Sequence, residues 1–323
     1  MTGRGRTEPL PSPRAHLAAT LRLLDRLVPN EGPWPGADAV RGALDRPRDL
    51  PVSVADDQNG LKYDAYRTHG PDGPAWGIAF NERWQGRAIW RSVEQLAADL
   101  PGHYDVASVR RLQGAVPSPS VNVSVGFDAP GRPPRLKIYL QEADWGQGVV
   151  TVDGFAALDA DLRGHCTLPA ALDGSRALGV LTVVLHPDGT RGLKAYFGGE
   201  RPTDAAAGLL DVPEVRVLCD GLAQCCPSPA WHYLTVRMRA GEEARYALNR
   251  IWDHTRVGFS TPEALAGAWG EVGALFGRAG RTDAFAEIRA AVDALADLRV
   301  VPTAAAFERG GTSADVYLAA WPR

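Results

Sequence analysis

Four segments of the sequence alternate between an apolar face and a face of lysine, arginine and tyrosine. In residues 135–141, Lys137 and Tyr139 alternate with Leu136, Ile138 and Leu140, and successive side chains of a β-strand point to opposite faces. The polar faces of the other three segments carry Lys194 and Tyr196 (192–197), Tyr233, Thr235 and Arg237 (231–238), and Asp315, Tyr317 and Trp321 (315–321). A sheet made of such strands must cover its apolar face, and this need constrains the fold more than any other feature.

Each of these segments is the second strand of a predicted β-hairpin. Period-2 alternation and Pro/Gly/Asp turns predict five strand pairs: 61–68 with 76–80, 121–127 with 135–141, 178–185 with 192–197, 214–219 with 230–238, and 300–307 with 313–321. Apolar residues at helical spacing predict helices at 16–28, 37–44, 89–100, 106–113, 155–162, 168–172, 205–210, 242–253, 262–276 and 283–298.

Ten antiparallel strands with helices between the hairpins indicate an α+β protein. Closing the strands into a ten-stranded β-barrel removes exposed edges, and the alternative is an open α+β sheet. If the helices cover the apolar face, the polar face lines the barrel interior. If they do not, the polar face is an ordinary solvated surface, as in many antiparallel sheets. We expect a single domain over residues 1–323, with a disordered tail at 1–14.

Composition excludes several classes of protein. The formal net charge is −3, and no basic stripe typical of a nucleic-acid binder occurs. The first residues lack the apolar run of a signal peptide or a membrane span, and the cysteines indicate reduced thiols in a cytoplasm. We expect a cytoplasmic protein with no membrane partner, and a monomer. The four cysteines lack zinc-site spacing, and Asp56-Asp57 lacks the third aspartate of a metal motif, so no metal site is predicted.

An interior lined by Lys137, Lys194 and Arg237 suggests an anionic ligand. Clustered buried cations are costly unless an anion is bound, and tyrosine hydroxyls can donate further hydrogen bonds to it. Aromatic faces beyond the anion can shield a carbocation by cation–π attraction, and the candidates are Trp76, Trp231, Tyr317 and Trp321. Cations and aromatic rings together are what ionisation of an allylic diphosphate requires.

Four stretches resemble the ABBA-fold aromatic prenyltransferases, most of all the branch that prenylates cyanobactin-type ribosomal peptides. They are VNVSVGFDAPGRPPRLKIYLQEADW (121–145), TVVLHPDGTRGLKAYF (182–197), VRVLCDGLAQCCPSPAWHYLTVRM (215–238) and ADVYLAAW (314–321). The resemblance implies that the diphosphate is bound by Lys137, Tyr139, Lys194, Tyr196, Tyr233, Arg237 and Tyr317. The family also has an arginine on its second strand, and Arg67 is the candidate to supply that charge.

The resemblance further implies an acidic residue beside the acceptor nucleophile on the first strand. Asp64 is the candidate general base, with Asp56 or Asp57 as alternatives if the register differs. A prenyl pocket would be lined by Leu218, Cys219, Trp231 and Trp321, and the residues before Asp220-Gly221 would leave room for a geranyl chain.

The implied activity is transfer of a dimethylallyl or geranyl group from its diphosphate to a side chain of a peptide. The alternatives are prenylation of a free aromatic molecule or amino acid, and a non-catalytic barrel that carries a lipid or an anion. No tightly bound cofactor is expected, and a magnesium ion accompanying the diphosphate stays open.

Overall fold

A computed structural model describes residues 13–28, 63–71, 73–84, 89–113, 119–128, 132–142, 180–227, 230–239, 242–252 and 261–323. The helices are α1 (Pro13–Leu27), α2 (Ile89–Asp99), α3 (Val106–Gln113), α4 (Pro202–Ala205), α5 (Pro213–Cys225), α6 (Pro262–Arg278) and α7 (Thr282–Asp293). The strands are β1 (Tyr63–Gly70), β2 (Gly73–Trp84), β3 (Pro119–Phe127), β4 (Arg135–Glu142), β5 (Val180–Leu185), β6 (Arg191–Gly199), β7 (Trp231–Arg239), β8 (Arg245–Ile251), β9 (Leu298–Glu308) and β10 (Ser313–Pro322).

The ten strands form a closed antiparallel barrel. Each strand pairs with the next one in the chain, and β1 closes onto β10 through pairs such as Ala65 with Leu318. Because neighbouring strands run antiparallel, the five hairpin turns lie at one end of the barrel. The connections that carry α2 to α7 join the strands at the opposite end. The predicted fold class, a ten-stranded antiparallel barrel surrounded by helices, is confirmed.

The apolar faces of the strands point outward, against the helices. Leu136 and Ile138 of β4 are fully buried in one hydrophobic core that also contains Leu24 of α1, Leu218 of α5 and Phe276 of α6. Burying each such side chain contributes about 1.5–3 kcal/mol. The helices therefore take up the apolar faces, and the Lys/Tyr faces are left to the barrel interior.

One predicted strand is a helix. Residues 214–219 lie in α5, which has Pro213 in its first turn and an acidic residue, Glu214, beside it. Proline is favoured at the start of a helix and acidic residues suit its positive end. The buried Val215, Leu218, Cys219 and Leu222 of α5 follow helical spacing, which outweighs the short apolar run that suggested a strand.

The complementary error falls on the predicted helix 242–253. Residues 245–251 of this range form β8, in which the buried Tyr246 and Leu248 share the outer face. Apolar residues at helical spacing suggested a helix, but Arg239 Nη1 donates a hydrogen bond to Glu242 at the β7–β8 turn. The fourth hairpin is therefore β7 with β8, and the number of strands stays at ten.

Several predicted features lie outside the described residues: the helices 37–44, 155–162 and 168–172, and Asp56 and Asp57. Most of the predicted tail does too, since α1 begins at Pro13. Within the described ranges, none of the helices combines the length and the apolar character needed to cross a membrane.

Candidate active site

The inner faces of β4, β6 and β7 bring three cations together. Ladder pairing places Lys194 directly opposite Arg237, and Lys137 lies on β4, which is joined to β6 through β5. Lys137 is 4% exposed and Lys194 is 8% exposed, while the Arg237 side chain keeps 30% exposure. We call these three residues the cation wall.

Lysine is scarce in this chain, which makes its position informative. Among 35 basic residues only three are lysines: Lys62, Lys137 and Lys194. Lys62 lies outside the described residues, and the other two face the barrel interior. A lysine ammonium is a compact charge whose pKa shifts readily on burial, unlike that of arginine.

The cation wall is electrostatically strained. Burial, together with the charges of Arg135 and Arg237, lowers the pKa of Lys137 to about 7. Burial and then the charges of Arg237 and Lys137 hold the pKa of Lys194 well below its ordinary value. Both shifts report that the ammonium ions lack enough compensating negative charge, so an entering anion would be stabilised strongly.

Two carboxylates lie beside the cation wall, on β9 and β10, and we call them the acid pair. Glu308 ends β9 and Asp315 lies near the start of β10, and both are buried. Arg237 reaches Glu308 with two bonds of 2.7 Å, one from each terminal nitrogen. Burial acts to raise the pKa of Glu308, but Arg237 and a hydrogen bond with Asp315 outweigh it and hold that pKa below its usual range.

Aromatic rings form two sets of contacts in the interior, one on the strands of the cation wall and one between β1 and β10. Tyr139, Tyr196, Tyr233 and Trp231 form a chain of contacts with centroid distances of 6.3, 6.2 and 6.2 Å. Tyr66 and Tyr317 form a second contact at 5.4 Å. Burial raises the pKa of the Tyr66, Tyr196 and Tyr317 phenols, so these hydroxyls stay protonated and can donate hydrogen bonds.

Tyr66 occupies a slot that only glycine can provide. A Cβ atom on Gly77 would lie 2.6 Å from the Tyr66 hydroxyl, and one on Gly126 would overlap the same oxygen. Lys137 Nζ donates a hydrogen bond of 3.1 Å to this hydroxyl and stands 4.4 Å from the ring centroid. The slot therefore fixes Tyr66, and Tyr66 fixes the Lys137 ammonium.

Asp64 lies on the same face of β1 as Tyr66, two residues earlier, and is 6% exposed. It pairs across the ladder with Ala79 of β2. The predicted general base is therefore inside the barrel, nearer the end where the helical connections join.

Trp231 and Trp321 lie toward that same end. Trp231 is 43% exposed and covers Gly198, where a Cβ would lie 2.8 Å from the indole ring. Trp321 packs with Val301, Ala319 and Leu265 of α6 in a small cluster separate from the main core. These two indoles border the polar interior, and their role as walls of a prenyl pocket stays a prediction.

Solved structures similar to this one include aromatic prenyltransferases. They include 5-dimethylallyl tryptophan synthase from Streptomyces coelicolor in complex with DMASPP and Trp, with a TM-score of 0.61, 16% identity and coverage of 96% of each chain. The 6-dimethylallyltryptophan synthase from Micromonospora olivasterospora, also with DMASPP and Trp, has a TM-score of 0.57, 19% identity and coverage of 96% of this chain and 97% of that one. PriB with its product diphosphate has a TM-score of 0.58, 16% identity and coverage of 93% of each chain.

This chain has the ABBA fold. No protein-family model matches the sequence, and no curated protein sequence is significantly similar to it. At these identities the likeness establishes the architecture, and the chemistry must be argued from the residues of the interior.

The structure corrects the placement of Arg67. Its side chain lies outside the barrel, where Nε donates a bond of 3.0 Å to His69 Nε2 and the guanidinium lies 5.9 Å from the ring centroid of Trp76. Trp76 in turn stacks on Phe127 within the outer core. Neither Arg67 as a diphosphate ligand nor Trp76 as part of the aromatic wall fits these positions.

Leu218 and Cys219 are also outside the barrel. They lie on α5, where Leu218 is fully buried in the outer core and Cys219 Sγ contacts the Pro202 carbonyl at 3.6 Å. They cannot line a pocket inside the barrel. The argument that these residues leave space for a geranyl chain therefore does not hold.

Three interior residues received no role from the sequence: Tyr66, Glu308 and Asp315. The interior position of Tyr66 could have been predicted, because Tyr66 is two residues from Asp64 and so faces the same side of β1. Asp315 was recognised on the polar face of its strand, but nothing in the sequence indicated a partner. Glu308 depends on the pairing of β8 with β9, where it stands opposite Ala247, and β8 had been assigned to a helix.

Proposed function

We propose that this protein transfers an isoprenyl group, dimethylallyl or geranyl, from its diphosphate to an aromatic or other nucleophilic side chain. The observation that carries the proposal is the cation wall: Lys137, Lys194 and Arg237 converge inside a closed barrel, beside tyrosines that can donate hydrogen bonds. The fold supports it, because proteins of this architecture are named as dimethylallyltryptophan synthases.

The cation wall would bind the diphosphate and stabilise it as a leaving group. When the allylic C–O bond breaks, its electron pair leaves with the diphosphate, where Lys137, Lys194 and Arg237 compensate the added charge. The carbocation would lie against the rings of Tyr139, Tyr196 and Tyr233, whose π faces attract a cation.

The acceptor would attack the carbocation from the side of Asp64. A bond forms between the acceptor atom and the allylic carbon, and the acceptor then loses a proton to the Asp64 carboxylate. Tyr66 acts through Lys137 and is a positioning residue in this scheme.

The acceptor is either a free aromatic molecule or a residue of a peptide. Free tryptophan is favoured by the complexes of similar architecture that contain Trp, and the peptide is favoured by the sequence resemblance alone. A magnesium ion bound with the diphosphate is a further proposal, which assays with and without EDTA address.

The experiment is an assay of diphosphate release from dimethylallyl diphosphate and geranyl diphosphate. Each donor is incubated with tryptophan, tyrosine, a tryptophan-containing cyclic dipeptide and linear peptides, and products are identified by mass spectrometry. Lys137→Met tests the cation wall, and Arg216→Met, on an exposed part of α5, is the matched control.

Prenylated product from the native protein and the control, with little from Lys137→Met, supports the proposal. Donor binding without turnover on any acceptor would instead indicate a carrier. Donor affinity unaffected by Lys137→Met would remove the cation wall from the site.

A further inference from the structure

A diphosphate can reach the cation wall only through one end of the closed barrel. The wall lies near the hairpin-turn end: Lys137 is the third residue of β4, Lys194 is the fourth of β6, and Arg237 is the third from the end of β7. Trp231 begins β7 at the helix-connection end. At about 3.3 Å per residue, Arg237 lies about 7 Å from the last residue of β7 and about 20 Å from Trp231.

Three arginines continue the polar face of the wall to the hairpin-turn end. Arg239 follows Arg237 by two residues on β7, and Arg245 pairs with Arg237 across the ladder. Arg135 precedes Lys137 by two residues on β4. Side chains two apart on a strand, or directly opposite on neighbouring strands, share a face. All three therefore belong to the interior face, and we call them the arginine rim.

Solvent reaches the arginine rim although it does not reach the lysines behind it. Arg135 keeps 22% side-chain exposure, Arg239 keeps 43% and Arg245 keeps 50%. On the other side of the same end, Glu308 and Ser313 are buried. Within the described part of the chain, the hairpin-turn end is therefore open on the side of β4, β7 and β8 and filled on the side of β9 and β10.

The charges of the rim meet across this opening. His186 follows β5, and after burial the two charges that most lower its pKa are those of Arg239 and Arg135. These arginines stand on β7 and β4, with β5 and β6 between those strands. An anion that approaches the opening is therefore attracted from both sides.

The rim arginines are paired with carboxylates that are themselves exposed. Arg135 contacts Asp128, and Glu242 is shared by Arg239 at 3.2 Å and Arg245 at 3.5 Å. These pairs contain three positive and two negative charges. Exposed ion pairs contribute only about 0–1 kcal/mol, so a rim guanidinium can exchange its carboxylate for an incoming phosphate with little loss of free energy.

The direction of entry also fits the order of groups along the interior. A donor that enters at the hairpin-turn end brings its prenyl chain in first, toward Tyr196 and Tyr233, and its diphosphate follows and stops at the cation wall. From the helix-connection end, the anion would have to pass both tyrosines before it reached the wall.

We propose that the arginine rim is the port for the diphosphate, which attracts the isoprenyl donor to the hairpin-turn end and through which the product diphosphate leaves. This inference rests on the proposed function, because it needs a diphosphate at the cation wall. The product diphosphate then departs without passing an acceptor bound on the side of Asp64.

Charge reversals at the two ends of the barrel separate the possible routes. Arg245→Glu places a negative charge on the rim. Arg299→Glu makes the same change of net charge at the helix-connection end, where the Arg299 guanidinium lies 5.7 Å from the ring centroid of Trp321. Thermal melting confirms that each variant folds, and Arg245→Gln with Arg299→Gln gives the same comparison if a reversal does not fold.

Binding of inorganic pyrophosphate to the full chain is measured at low and at high salt, about 0.02 M and about 0.5 M. Calorimetry gives the Kd and ³¹P exchange NMR gives the dissociation rate, so the two together give the association rate. The same measurements on Lys137→Met show the effect of removing a group of the cation wall itself.

We expect Arg245→Glu to slow association roughly tenfold at low salt, within the range that local charge contributes to association rates. At high salt the effect should fall below about threefold, because the charges are screened. Dissociation should change little in this variant, since a charge at the rim acts on the encounter, whereas Lys137→Met should speed dissociation. Arg299→Glu should keep the association rate within about twofold of the native value.

The inference is overturned if Arg299→Glu slows association as much as Arg245→Glu does, because the anion would then enter elsewhere or respond to net charge alone. It is also overturned if neither variant changes the association rate, or if Arg245→Glu alters dissociation only, which would make Arg245 a ligand of the bound anion. Failure of the native protein to bind pyrophosphate would instead refute the proposed function. Native binding that Lys137→Met weakens, with equal association rates in both arginine variants, would refute this inference alone.

Discussion

Binding of a diphosphate should draw a proton onto Lys137. The protein's own groups set the pKa of this ammonium at about 7, so at pH 8 only roughly one-tenth of the molecules carry the charge. A negative charge about 4 Å away contributes about 4 kcal/mol at an effective dielectric constant of 20. This energy corresponds to roughly three pKa units.

The bound-state pKa of Lys137 would then be about 10. Nearly every complex would carry the ammonium at pH 8, so binding would take up roughly 0.9 proton at this residue. At pH 6 the residue is already charged and uptake falls to roughly 0.1 proton. Because the complex holds the extra proton, affinity must decrease as the pH rises above 7.

Calorimetry measures this uptake directly. Pyrophosphate is titrated into the protein in two buffers of different ionisation enthalpy, and the dependence of the observed heat on that enthalpy gives the number of protons. Lys137→Met is the reference, because it retains the length of the side chain and removes the titrating group. Protons that belong to pyrophosphate itself or to Lys194 largely cancel in the comparison.

The reasoning is refuted if the native protein and Lys137→Met take up the same number of protons at pH 8. Net proton release assigned to Lys137 would refute it as well, because the ammonium would then move away from the anion. Either result would show that the lysine is charged before binding or lies outside the reach of the diphosphate.

Four further outcomes test other parts of the molecule. Gly126→Ala should lower the free energy of unfolding by about 1–3 kcal/mol, because the new methyl overlaps the Tyr66 hydroxyl; Tyr66→Phe should restore most of it in urea unfolding, and no rescue would contradict the contact. Arg237→Met should weaken pyrophosphate binding roughly 10- to 100-fold by calorimetry, and unchanged affinity would remove it from the site. Asp64→Asn should reduce turnover by roughly 10²–10⁴-fold with donor affinity preserved, and full activity would place the base elsewhere. Cys219→Ala should leave the preference between five- and ten-carbon donors unchanged in a competition assay, because Cys219 lies outside the barrel; a changed preference would contradict that position.

Strand parity predicted the contents of the interior where it was applied consistently. Lys137, Tyr139, Lys194 and Tyr196 follow the alternation of their strands, and the structure places them inside. The prediction for Arg67 ignored this rule. Arg67 is three residues from Asp64, so the two side chains must face opposite sides of β1. Both could not have belonged to the interior.

Other features of the fold and the site depend on contacts between distant segments, so the pattern within one segment could not predict them. The helical spacing of Val215, Leu218 and Leu222 was visible in the sequence, but a short run rich in valine and leucine suits a strand equally well. The slot for Tyr66 depends on the register of three strands, and the bond from Arg237 to Glu308 spans two strand pairs. Such distances follow from the closure of the barrel, which sequence periodicity does not specify.

Closure of the barrel also sets when the protein can fold during its synthesis. The pairing of Ala65 with Leu318 joins the first strand to the last, so the ribosome must make β10 before β1 has its second neighbour. Until then β1 and β9 each present an unpaired edge, which invites association with other chains. Closure of the barrel therefore requires all ten strands, and a truncation within 313–322 would leave those two edges open permanently.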